Sequence, residues 1–263
     1  MERIAIISDV HGNYTALTTV LNDIKKRNIS KIYCLGDLIT KCANPDLVID
    51  TLRKEATVIL KGNCDDLVYK NHNYSWSRNK IGPERLEFLN SLPIYHEFYL
   101  SGHLIRLFHA SPYSLEHVYN PMFSNENTRY KDKEIKSAGE MFLNTEFLGK
   151  TENDPIPDII GYGHLHTPNI FRYKNKTIFN PGSVGVPMEM TNTNPEDPNN
   201  KFSTLTSYMI LEGELDSKEL GEISFNLIRL PYNIEKEIKD LENSDMVYID
   251  KVIHNLRTAT YKE

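Results

Sequence analysis

Seven side chains of metal-binding type stand at the ends of apolar runs: Asp9 and His11, Asp37, Asn63, His109, and His164 with His166. Carboxylate, imidazole and amide oxygen together are the donor set of a transition-metal ion. In Asp9-Val10-His11, which follows Ile4-Ala5-Ile6-Ile7, strand alternation turns Val10 away and sets the carboxylate and the imidazole on one face. Asp-x-His alone is a common tripeptide. Its weight comes from the repeated context: Gly36-Asp37 follows Lys31–Leu35, Gly62-Asn63 follows Thr57–Leu60, His109 follows His103–Phe108, and Gly163-His164-Leu165-His166 follows Ile159–Tyr162. The neighbouring glycines let backbone and ligand approach closely. Seven donors exceed what one tetrahedral zinc needs. A carboxylate shared by two ions resolves the excess, and can draw them to roughly 3.5–4 Å, the spacing of two-metal hydrolases. The mix suits manganese, foremost among two divalent ions, with iron, zinc, cobalt or nickel as substitutes, and suits calcium or copper(I) poorly.

The elements that must position these residues follow from periodicity. After the first strand, Asn13 caps a helix with Leu17, Val20, Leu21 and Ile24 at helical spacing. Asn44-Pro45 starts a second helix with Val48, Ile49 and Leu52 on its apolar side. Strand, helix, strand, helix, strand implies a parallel sheet that delivers its C-terminal strand ends to one edge. Residues 66–93 read as mostly helical, with Tyr74 and Trp76 in a polar loop, and Ser101-Gly102 as the turn of a hairpin. An amphipathic helix is expected from about Lys133 to Leu148, inside a cap or lid insertion at about 113–155. Short strands at 170–173 and 177–179, a surface loop at 187–203, two antiparallel strands at 206–211 and 222–230, and a helical extension at about 232–263 complete a single α/β domain.

Composition excludes several classes. With 40% hydrophobic and 25% charged residues, the 263-residue chain is ordinary for a globular protein. A net charge of −6 argues against long nucleic acid as a partner, though a small phosphate ester or nucleotide drawn by bound metal ions stays open. No apolar run is long enough to span a membrane, and the first residues enter a strand at once, so no membrane partner is expected. Three cysteines, an odd count without zinc-finger spacing, fit a reduced cytoplasmic setting. No Gly-x-x-x-x-Gly-Lys loop is present, which argues against an ATPase.

The ordered set Asp-x-His, Gly-Asp, Gly-Asn, a lone His and Gly-His-x-His, over roughly residues 3 to 186, resembles the calcineurin-like metallophosphoesterase family. Asn180-Pro181-Gly182-Ser183 is similar to the segment that follows Gly-His-x-His in its bacterial and archaeal branch, which includes phosphodiesterases and relatives of diadenosine tetraphosphatases. The resemblance implies a four-layer α-β-β-α sandwich with mixed sheets and helical and loop insertions. It assigns Asp9, His11 and His166 to one metal, Asn63, His109 and His164 to the other, and Asp37 between them. Asp37, Asn63 and His109 are expected to serve catalysis as well. The activity implied is hydrolysis of phosphate esters by in-line attack of a hydroxide held between the metals. Many members carry Gly-Asn-His; this chain has Cys64 there, which removes a positively charged leaving-group donor and favours good leaving groups. Asp65 and His72 are candidate replacements.

The remaining chemistry-bearing residues read blandly. His72, His96, His103, His117 and His254 lack the strand-end context, Ser111 and Ser183 read as turn residues, and Cys34 as core filler with Cys42 an incidental loop thiol. Tyr74, Trp76, Tyr113 and Tyr119 read as packing anchors rather than a base-stacking surface, and the charged C-terminal helix as a solvated face. The rival to an enzyme is a catalytically silent scaffold on the same fold, disfavoured by the complete donor set. Within the enzyme class the alternative substrate is a dinucleoside polyphosphate.

Overall fold

Strand β1 (Glu2–Ile7) divides its side chains between two cores, and that division sets the layers. Ile4 and Ile6 meet Tyr33, Ile105, Leu107, Phe179 and Met209, whereas Ala5 and Ile7 meet Leu17, Val20, Val48 and Ile49. The computed structural model describes residues 1–71, 74–119, 135, 137–189, 201–247 and 249–260.

The first sheet joins β1 to β2 (Lys31–Cys34), β3 (Val58–Ile59), β11 (Leu205–Gly213) and β12 (Ser224–Pro231), in the order β12-β11-β1-β2-β3. β1, β2 and β3 run parallel, and β11 and β12 are antiparallel. The second sheet, in the order β4-β5-β6-β8-β7, is built from β4 (Tyr95–Leu100), β5 (His103–Phe108), β6 (Ile159–Tyr162), β7 (Asn169–Tyr173) and β8 (Lys176–Asn180). Within it β5, β6 and β8 are parallel, with antiparallel edges. The sheets pack face to face through the Ile4–Ile6 core. Both are mixed, as the sandwich requires.

Helices α1 (Tyr14–Lys26) and α2 (Pro45–Glu55) cover the outer face of the first sheet. Asn13 caps α1, its Oδ1 accepting from Ala16 N at 2.9 Å. Helix α3 (Asn63–Lys70) leads to α4 (Ser75–Ser91), which bends at Gly82-Pro83. Trp76 lies inside α4, not in a loop, and its indole donates to Asp245. The chain ends in α5 (Ile234–Glu242) and α6 (Ile249–Thr258). No helix of the described residues is long and apolar enough to cross a membrane.

On the outer face of the second sheet the expected helix at 133–148 is not formed by the described residues of that stretch. Among the described residues this stretch makes two 3₁₀ turns, Ala138–Phe142 and Glu146–Leu148. The buried Arg106 competes with a helix here: its guanidinium donates to the Leu143 carbonyl at 2.9 Å, taking it from a helical ladder, and to the side-chain Oδ1 of Asn144 at 2.6 Å. Met141 and Phe142 still close the outer core. Residues 120–134 and 136 of the insertion, and 190–200 of the expected 187–203 loop, lie outside the described residues. The flanks of that loop pair as β9 (Met188–Glu189) and β10 (Lys201–Phe202).

Two further expectations change. Cys42 is fully buried rather than an incidental loop thiol. The C-terminal helices are not simply a solvated face: Ile238, Leu241 and Leu256 form a small core with Ala43, and Glu237 is completely buried.

Candidate metal centre

Because β1, β2 and β3 are parallel in one sheet and β5 and β6 in the other, their C-terminal ends meet where the two sheets adjoin. Backbone bonds hold the ends together: Asp9 N donates to Gly36 O at 3.0 Å and Gly163 N to His109 O at 2.8 Å. Asp9 Oδ2 accepts from His164 N at 3.0 Å and so ties the sheets to each other. Five of the seven strand-end residues (Asp9, His11, Asp37, His164 and His166) have φ between 51° and 64°, a left-handed conformation unusual outside glycine. Such strain persists only where the surroundings over-determine it, and it concentrates at functional sites. Gly36, at φ 103°, is needed twice over: its backbone is left-handed and a Cβ there would strike Gly62.

All seven side chains converge, in two groups. In one, His11 Nε2 lies 3.0 Å from His166 Nε2, and Asp9 Oδ1 lies 3.3 Å from His166 Nε2. In the other, Asn63 Oδ1 lies 2.9 Å from both His109 Nε2 and His164 Nδ1. Asp37 stands between them, with Oδ2 3.6 Å from His11 Nε2 and Oδ1 3.5 Å from His109 Nε2. Asp9, His11 and His109 are fully buried, while Asn63 and His164 are half-buried and line the open side.

The protonation pattern fits a cation. Nδ1 of His11, His109 and His166 faces the carbonyl of Ile39, Leu35 and Val186 respectively, which can only accept, so each ring donates there. In the neutral form each ring would therefore present its Nε2 lone pair inward, the arrangement by which an outer hydrogen bond orients a metal-binding imidazole. Two lone pairs 3.0 Å apart, beside a buried Asp9 Oδ1 that accepts no hydrogen bond, repel unless a positive ion lies among them. Burial, then the charges of Lys41 and His166, hold His11 well below the usual imidazole range. Burial and His109 push His164 down to about 3. For His109 burial also disfavours the charge, but the Asp37 and Asp9 carboxylates outweigh it and raise the value. Asp9 is held ionised: burial opposes this, and the surrounding imidazoles overcome it.

The sequence profile of the calcineurin-like phosphoesterase superfamily domain matches residues 2–195. The chain belongs to that superfamily. It is 32% identical over 245 residues, 89% of each chain, to an uncharacterized protein of Methanocaldococcus jannaschii. In fold it is similar to a metallophosphoesterase from Sphaerobacter thermophilus (TM-score 0.64, 22% identity, 97% of this chain and 98% of that one). A hypothetical protein from Pyrococcus horikoshii OT3 is alike to a similar degree (TM-score 0.63, 19% identity, the same coverage). Membership implies divalent metal ions, and Asp9, His11 and His166, with Asp37 and His109 beside them, form clusters of the kind that could hold a metal ion.

Four residues beside the seven shape the site. Asp65, in the first turn of α3, is fully buried, with Oδ2 accepting from Asp37 N at 2.8 Å and Gly62 N at 2.9 Å and Oδ1 from Leu38 N at 3.0 Å. Its oxygens are spent on backbone, so it braces the turns rather than replacing the missing proton donor; burial and the neighbouring Asp37 carboxylate raise it to about 7. A carboxylate three residues after Gly62 at a helix start was a readable sign of this role. Thr40 Oγ1 lies 3.2 Å from His11 Nδ1, and Lys41 Nζ 3.2 Å from His11 Nε2. Neither carried a sequence signal. Cys64 is buried, one donor atom each of His11, Asp37 and Cys64 falling within 4.8 Å of one another, and burial with the Asp37 charge keeps its thiol protonated. His72 lies outside the described residues.

The residues read as bland have ordinary partners. His96 stacks on Phe98 and meets Tyr33 edge-on. Tyr113 and Tyr119 pack on the outer core, and Tyr74 on the core beneath α1 and α2. Ser111 Oγ accepts from Tyr113 N, and Ser183 Oγ donates to Asp9 O at 2.7 Å, so Ser183 is a turn residue that also fixes the site backbone.

Proposed function

We propose that the protein is a dinuclear metal-dependent phosphoesterase acting on small phosphate esters or nucleotides. The reading rests above all on Asp37, whose two carboxylate oxygens face His11 at 3.6 Å and His109 at 3.5 Å, between the two groups of donors. Asp9, His11 and His166 would hold one ion, Asn63, His109 and His164 the other, with Asp37 shared. When bound, such ions make water nucleophilic at neutral pH and neutralise charge on the phosphoryl group. The chain supplies the rest. Backbone carbonyls of Ile39, Leu35 and Val186 fix the tautomers of His11, His109 and His166, so their lone pairs are aimed before substrate arrives. Asp65 holds the Asp37 backbone. The buried wall of Asp9, His11 and His109 excludes bulk water on one side, leaving Asn63 and His164 at the mouth for an in-line approach.

In this reading residues 1–263 form one unit, with the 113–155 insertion and the 187–203 segment shaping substrate choice. Manganese is the first choice of metal for a nitrogen- and oxygen-rich site. Three buried, unpaired cysteines fit a reducing, cytoplasmic setting. The test is a screen of bis-nitrophenyl phosphate, nucleoside monophosphates and diadenosine tetraphosphate, with the stripped protein reloaded separately with Mn²⁺, Fe²⁺, Zn²⁺, Co²⁺ and Ni²⁺. Metal-dependent release from at least one substrate is expected. Protein that takes up no metal and cleaves none of them defeats the proposal.

A further inference from the structure

One positive side chain reaches the site from outside the seven. Lys41 Nζ lies 3.2 Å from His11 Nε2. Its loop is otherwise sealed: Leu38, Ile39, Thr40, Cys42 and Ala43 are all buried, and Lys41 alone is exposed. Thr40 and Lys41 have successive φ values of 74° and 62°, a conformation that two non-glycine residues do not adopt unless held there. It is held by the site: Gly12 N donates to Leu38 O and Cys42 N to His11 O, each at 2.9 Å. The strained loop is thus clamped to the His11-Gly12 backbone and turns the lysine toward the donors. Among the described residues Lys41 forms no ion pair with a carboxylate, so its charge is not consumed in the scaffold.

The charge balance of the site gives that ammonium a use. Cys64, where many family members carry histidine, is a thiol and in no protonation state brings a positive charge. The His11 Nε2 lone pair can serve the ammonium or a metal ion but not both, so a bound ion releases the lysine to an anion at the same mouth. Resting on the phosphoesterase reading above, we propose that Lys41 is a substrate-binding residue whose ammonium binds a non-bridging phosphate oxygen and supplies the charge Cys64 lacks.

Wild type, Lys41→Gln and Lys41→Arg are compared as Mn²⁺-loaded proteins, by elemental analysis for metal content and by calorimetric titration with inorganic phosphate. Loss of a charge-assisted hydrogen bond weakens phosphate binding by about tenfold or more in Lys41→Gln, with metal content unchanged. Lys41→Arg, which keeps the charge, stays within about threefold of wild type. Lys41→Gln that binds phosphate within about twofold of wild type overturns the inference. So does Lys41→Gln that loses metal, because the lysine then acts by supporting His11. Wild type that takes up no metal overturns the phosphoesterase reading and this inference with it, a result distinct from the other two.

Discussion

The carboxylate of Asp65 accepts the backbone N–H of Asp37 at 2.8 Å, so a residue outside the seven fixes the position of the one at their centre. The same carboxylate takes Gly62 N and Leu38 N, stitching the turn after β2 to the turn after β3. Asp65→Ala leaves three buried N–H groups without partners, at about 1–3 kcal/mol each. A loss of at least about 3 kcal/mol in urea unfolding is expected, well beyond an ordinary point mutant. Asp65→Asn keeps one accepting oxygen and falls between. A loss for Asp65→Ala below about 1 kcal/mol would mean that the turns hold without the brace.

Metal stoichiometry tests how the donors are partitioned. Asp37→Ala removes the shared carboxylate and is expected to lower metal content from about two ions per chain to almost none, with turnover down about a thousandfold or more. His166→Ala and His164→Ala belong to different groups, and each is expected to cost about one ion. Elemental analysis after dialysis reads all three directly. Equal loss from the two histidine variants would show that the ions bind only as a pair.

The convergence of the seven was legible because each follows an apolar strand, and the βα alternation makes those strands parallel in their sheets. Apolar residues at helical spacing also located α1 and α2. What escaped depends on partners distant in sequence. Arg106 competes with the expected helix for the Leu143 carbonyl, a competition no local pattern records. Nothing local in the sequence marks Lys41, which the left-handed backbone of Thr40 and Lys41 turns to His11. Glu237 sits in a charged helix whose composition gives no hint that one carboxyl is buried against α1.

That buried carboxyl carries a pH dependence. Burial, with a smaller push from Asp240, raises Glu237 from 4.5 to about 7, against bonds from Thr15 and the charge of Lys236. Oε1 accepts no hydrogen bond, and the Cys42 thiol nearby is itself pushed up by burial first and by Glu237 second. Below pH 4.5 both folded and unfolded chains keep the proton and folding is unpenalised. Between there and about 7 the unfolded chain ionises first, so stability falls as pH rises, by about 3 kcal/mol in all. Glu237→Gln keeps the position uncharged at every pH and is expected to melt several degrees above wild type at pH 8. The gap should close at pH 4.5; a constant gap at both values would assign it to packing.

On the proposed phosphoesterase function, Cys64 is expected to set which leaving groups the site tolerates. Burial and the Asp37 carboxylate keep the thiol protonated, so no imidazolium stands ready for the departing oxygen. Asp65 cannot substitute, since both its oxygens accept from backbone. Lys41, as proposed, meets a non-bridging oxygen and leaves the departing one unassisted. A positioned general acid is worth about 10²–10⁴ in rate, and most where the leaving group is a poor one. Turnover is therefore expected to fall steeply as the pKa of the leaving alcohol rises across a series of aryl and alkyl phosphate esters. Cys64→His, placing an imidazole in the same turn, should flatten that slope by speeding the alkyl esters while changing nitrophenyl esters little. A wild-type slope already flat would show that another group donates the proton.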